Sequence, residues 1–63
     1  MYDENGHEIA LDDYAIAVKA INGQVYIYEG TVIALNDGMV GIMVVETNDI
    51  VWFDPESTAV QLN

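Results

Sequence analysis

Asn22-Gly23 stands between two apolar runs, Tyr14 to Ile21 and Gln24 to Tyr28, and constrains this chain more than any other feature. An Asn-Gly pair accepts the two positive φ angles of a type I′ turn, whose twist matches that of the antiparallel strands it joins. A two-residue turn there sets the register: Ala20 opposite Val25, Lys19 opposite Tyr26, Val18 opposite Ile27 and Ala17 opposite Tyr28. Because strand side chains alternate, Ile16, Val18, Val25 and Ile27 share one face, which is expected to be core. Ala17, Lys19, Tyr26 and Tyr28 share the other, expected to be outer surface.

Turn signals divide the remainder into short strands. Gly30 interrupts the run that continues through Thr31 to Leu35 and predicts a bulge or sharp bend. Asn36-Asp37-Gly38 suits a three-residue hairpin loop with Gly38 left-handed. Met39 to Glu46 returns as a strand, Thr47-Asn48-Asp49 turns, and Ile50 to Phe53 follows. Asp54-Pro55-Glu56-Ser57 predicts one helical turn, with Asp54 as cap and Pro55 first, before a last strand over Ala59 to Leu62. The expected fold is all-β, a five-stranded antiparallel meander closing into a small barrel with one helical turn before the last strand. Residues 14–63 would form that barrel. Residues 1–13, with turn-prone Asn5-Gly6, would be an acidic N-terminal arm, loosely held or a short hairpin, with Ile9 and Leu11 available to tuck onto the body.

Over residues 22 to 39 the pattern resembles the SH3-like and Sm-like small barrels. Asn22-Gly23, Gly30-Thr31-Val32, Asn36 and Met39 match the order of the first Sm motif, with a first hairpin two residues longer than usual. The resemblance implies a bent second strand and assembly by strand edges. It does not carry RNA binding: Val40 stands where the family has an Asn that holds a base, and Asp54-Pro55 replaces the Arg-Gly pair of the second motif.

Charge narrows the function classes. Eleven Asp and Glu face a single Lys and no Arg, for a net charge of −10. Phosphate backbones are bound by Lys and Arg, so direct nucleic-acid binding is not expected. A basic protein surface is the electrostatically favoured partner, although an acidic surface also serves solubility. The chain lacks cysteine, which fits a reducing, cytoplasmic setting, and no window has the length of a membrane-spanning helix. With Met1-Tyr2-Asp3-Glu4 at its start, no basic signal sequence is expected.

No catalytic constellation is legible. His7, between Gly6 and Glu8, is the only histidine and has no base or metal-ligand spacing around it. Ser57, Thr31, Thr47 and Thr58 lack a histidine partner, and the glycines sit at hairpins, not before a helix. No enzyme activity, cofactor or metal is expected.

Binding is a different matter. The central hairpin is apolar on both sides, with Ile33, Leu35, Met39 and Met43 on one and Val32, Ala34, Val40, Ile42 and Val44 on the other. One interior accommodates one set; the other needs the arm, the last strand, a second copy or a partner. Tyr26, Tyr28, Val32, Val40, Ile42 and Val44 are therefore the candidate protein contacts, and Asp3, Glu4, Glu8, Asp12, Asp13, Asp37, Asp49, Asp54 and Glu56 the candidate acidic surface. The leading reading is a non-enzymatic acidic adaptor or inhibitor docking on a basic protein. A nucleic-acid mimic, as small phage-encoded inhibitors are, would also need its carboxylates in a row. The alternative is a structural homo-oligomer built by strand-edge and apolar-face pairing.

Overall fold

Asn22 and Gly23 adopt φ of 52° and 80°, and the turn they make joins β1 (Tyr14–Ile21) to β2 (Gln24–Asn36) in the expected register, with Val18 opposite Ile27 and Ala17 opposite Tyr28. The structure, a computed structural model, describes residues 1–62. Strands β3 (Met39–Val44), β4 (Ile50–Phe53) and β5 (Thr58–Val60) complete one antiparallel sheet of order β4-β3-β2-β1-β5. The end strands β4 and β5 are not paired with each other, so the sheet is open. A single 3₁₀ turn, Pro55–Ser57, precedes β5. It is held by the Thr58 hydroxyl donating to the Asp54 carbonyl, and the Asp54 side chain makes no cap hydrogen bond. No helix is long and apolar enough to cross a membrane, among the described residues.

The β2–β3 turn differs from the three-residue loop expected. Asp37 and Gly38 both take positive φ and Asn36 pairs with Met39, so the turn has two residues. That turn places Leu35 opposite Val40, and a bulge between Val32 and Ala34 then shifts the register so that Val32 stands opposite Ile42. This moves Leu35 to the core side, away from Met39, with which it was grouped.

Gly30 is the bend. A Cβ there would lie 2.0 Å from the Met43 carbonyl oxygen, so only glycine lets β3 approach β2 this closely. Beyond that point β2 continues toward Gln24 with β1 alone as its partner.

The core is built from Ala15, Ala17, Val32, Val40, Ile42, Phe53 and Val60, with Ile9 from the arm. This inverts the face assignment for the first hairpin. Val18, Val25 and Ile27, expected inside, are exposed, and Ile16 is half-buried. Ala15 and Ala17 are fully buried instead, because their small side chains let β5 and Phe53 close over them. Lys19 shares that inner side: its ammonium donates to the Trp52 carbonyl (2.7 Å) and lies 5.2 Å from the Phe53 ring centroid. The Tyr28 ring tilts against the same phenylalanine, 5.4 Å between centroids.

The first thirteen residues are docked and form part of the fold. They fold as a short hairpin in which Asp3 N donates to His7 O and Ile9 N to Met1 O. Ile9 enters the core while Leu11 stays exposed. Asp3, expected on the acidic surface, is only 6% exposed. Its carboxylate accepts from the backbone N–H groups of Asn5, His7 and Val60, at 2.8 to 2.9 Å. Burial pushes its pKa up, but those three donors and the nearby His7 outweigh that cost and hold it below the ordinary carboxylate range.

Two outcomes follow from these contacts. Gly30→Ala should lower stability by about 1–3 kcal/mol, read as a shift in the urea midpoint, because β3 backbone blocks the methyl group. A folded-state pKa below the unfolded value means Asp3 stabilises the fold above about pH 4 and loses that contribution as pH falls through the lowered value. The native chain should therefore melt higher than Asp3→Asn at pH 7, with the gap closing toward pH 2; the acids common to both cancel in this comparison.

Candidate protein interface

Alternation along the strands, applied to the observed core, fixes what the outer side of the sheet carries. Tyr14, Ile16, Val18 and Ala20 lie there from β1, and Val25, Ile27, Glu29 and Thr31 from β2. Met43 and Val45 extend the row past β3, and Ile50 and Trp52 continue it on β4. Trp52 is the one large side chain here with an intramolecular cover of its own to provide: its ring lies over Gly41, where a Cβ would stand 3.0 Å from the indole. The others meet solvent.

The exposure is concentrated at the first hairpin. Ile27 and Val25 are 73% and 69% exposed, and Val45 beside them is 58% exposed. Large aliphatic side chains this open, in a contiguous set on a rigid sheet, mark an interaction site more often than a scattered surface residue does. A cleft of about 220 Å³ opens next to them, between Tyr26–Glu29 on β2 and Val44–Glu46 at the end of β3. Glu29 and Glu46 bring two carboxylates to its wall. Glu29 also acts on Tyr14: burial and then this carboxylate raise the phenol above its ordinary pKa.

The structure separates the contact residues expected from sequence. Val32, Val40, Ile42 and Val44 are buried in the core, the first three completely, so they are closed to a partner. The physical reason is that Phe53, Val60 and Ile9 of the arm pack with Val32, Val40 and Ile42 in one core cluster, which makes that side of the central hairpin the inner one. Tyr26 and Tyr28 remain in the candidate site as lining of the cleft, Tyr26 exposed with its hydroxyl donating to Gln24 and Tyr28 half-buried. Among the expected acids, Glu4, Glu8, Asp12, Asp37, Asp49, Asp54 and Glu56 are exposed. Asp13 is half-buried and accepts from Ala10 N, closing its own turn, and Asp3 is withdrawn into the fold.

Sequence reading missed Val18, Val25, Ile27, Val45, Glu29 and Glu46. The available signal was the alanine content of the opposite face: Ala15 and Ala17 suit a tightly curved interior better than Val18 and Ile27 do. No three His, Cys, Asp or Glu side chains come together to hold a metal, among the described residues. His7 lies at the surface with its Nδ1 3.7 Å from the Asp3 carboxylate. No protein-family profile, curated protein or solved structure matches the chain.

The face assignment makes a direct prediction. Ile27→Asn should change folding stability by no more than about 0.5 kcal/mol, as at other open surface positions. Ile42→Ala should cost about 2–5 kcal/mol through lost burial and a cavity. Equal losses in chemical denaturation would put Ile27 back in the core.

Proposed function

We propose that this chain is a non-enzymatic, acidic protein-binding module, an adaptor or inhibitor that docks on a basic protein surface. The observation that carries the reading is the pair Val25 and Ile27, the most exposed large apolar side chains described, set beside the carboxylates of Glu29 and Glu46. Covering such a side chain fully contributes roughly 1.5–3 kcal/mol, so a few of them make a usable binding centre. The charge of −10 supplies the rest, speeding encounter with a positive surface and opposing acidic ones. With eleven acids against one lysine, the field of the protein is strongly negative. The strand order and the bent β2 support reading the sheet as a partly open small barrel of the SH3-like and Sm-like kind. The cysteine-free chain is consistent with a cytoplasmic setting.

Assembly of copies is the competing reading, motivated by the same apolar face. Two features weigh against it. Each copy brings a charge of −10 to the contact, and the end strands have part of their outward groups engaged, most of all β5. On β5, Thr58 O accepts from Glu4 N and Val60 N donates to Asp3; on β4, Trp52 O accepts from Lys19.

The test pairs mass with capture. Light scattering after gel filtration should give a monomer at both low and high salt. The native chain used as bait should retain a basic protein that elutes as salt rises, and the Val25→Asp, Ile27→Asp bait should lose it while keeping the native circular dichroism. A partner held equally by both baits would overturn the assignment of this face.

A further inference from the structure

We propose that the free edge of β2 over Gln24–Tyr28 is a strand-addition site, and that its occupant is an extended peptide segment of the partner in which apolar and Lys or Arg residues alternate. This rests on the docking reading above and specifies how docking occurs.

The edge is defined by where pairing stops. Strand β2 is matched to β1 from Gln24 through Thr31, but β3 joins it only from Gly30 opposite Val44. On the side away from β1, Gln24–Tyr28 therefore has no partner strand among the described residues. Val45 N donates to Glu29 O at 3.0 Å, so the main-chain groups of Glu29 face that side. By the period of two, the N–H and C=O groups of Ile27 and Val25 face it as well.

Natural sheets protect such edges with charge, proline, a bulge or a covering segment. Gln24–Tyr28 has no charged residue and no proline, and its register with β1 is unbroken. Elsewhere the arm covers β5, Lys19 reaches one carbonyl of β4, and β1 beyond Ala17 has no strand on its β5 side among the described residues. The β2 edge is the open one that carries the exposed Val25 and Ile27 and lies along the cleft lined by Tyr26–Glu29 and Val44–Glu46.

A strand laid there would continue the place of β3 beyond Val44. Main-chain hydrogen bonds to Val25 and Ile27 would supply register, and alternate side chains would lie on the apolar outer face and toward Tyr26 and Tyr28. Glu29 and Glu46 at one end select positive side chains. A second copy offers Lys19 as its only cation, already bound, so a basic peptide is the better match.

The probe is a capped nine-residue peptide of alternating Lys and Val, with alternating Glu and Val as control. Residue-resolved amide hydrogen exchange by NMR should slow at Val25 and Ile27 with the Lys–Val peptide and stay unchanged with the control. A chemically synthesised chain carrying an N-methyl group at Ile27 keeps the side chain and the β1 pairing, and should bind that peptide at least about fivefold more weakly. Peptide-induced shifts of the Val18, Val25 and Ile27 methyl signals without slowed amides would overturn strand addition and leave face docking standing. Absence of any binding by the Lys–Val peptide would also overturn it, with the docking reading then judged by the bait experiment. If the same amides slow without peptide as concentration and mass rise together, a second copy is the occupant and the peptide assignment is wrong.

Discussion

The Asp3 carboxylate ties the beginning of this chain to its end. By accepting from Asn5 and His7 it shapes the arm, and by accepting from Val60 it fastens the arm along β5. A buried carboxylate is tolerated only when hydrogen bonds replace the water it has lost, and three backbone donors do so here. No buried side-chain polar atom lacks a partner among the described residues. With the arm in place, Ile9 completes a core that 63 residues without a disulfide could otherwise hardly close. An apparent appendage is thus structural, and the most acidic segment of the sequence contributes one of its carboxylates to the interior.

The same physics distinguishes the three edges of the sheet. Unpaired strand edges invite association, and this chain answers them in part from within. Asp3 and Glu4 meet the outward groups of β5, while the only lysine reaches across to the Trp52 carbonyl on β4, with its charge held near the Phe53 ring. The lysine thereby links β1 to β4 across the open side of the sheet. The half of β2 that outruns β3 stays open, with Val25 and Ile27 exposed along it. That edge presents its most exposed apolar side chains within a negative field.

Much of the architecture was legible because turns depend on local chemistry. Asn22-Gly23 and Asp37-Gly38 carry positive φ angles that few other residues accept, and Gly30 marks the only place where one strand can meet another's carbonyl so closely. The first hairpin register, the number of strands and the 3₁₀ turn at Pro55–Ser57 follow from such residues. The bulge between Val32 and Ala34 was not legible, since no residue in that run of Val, Ile and Ala differs enough to announce it. Its effect was to carry Leu35 to the other side of the sheet.

The sequence by itself determined which residues of the first hairpin travel together: Ala20 with Val25, Val18 with Ile27, Ala17 with Tyr28. Alternation and tight turns are local, and they act before anything else is packed. Only the tertiary structure decided which side of each pair faces in. Both sides are apolar, so hydrophobicity could not choose, and the choice fell to curvature. The inner side of so small a sheet leaves little room, and Ala15 and Ala17 fit there in the same core as Phe53 and Val60, fully buried. The bulkier residues were left outside, and with them the surface on which the function proposed for this protein rests.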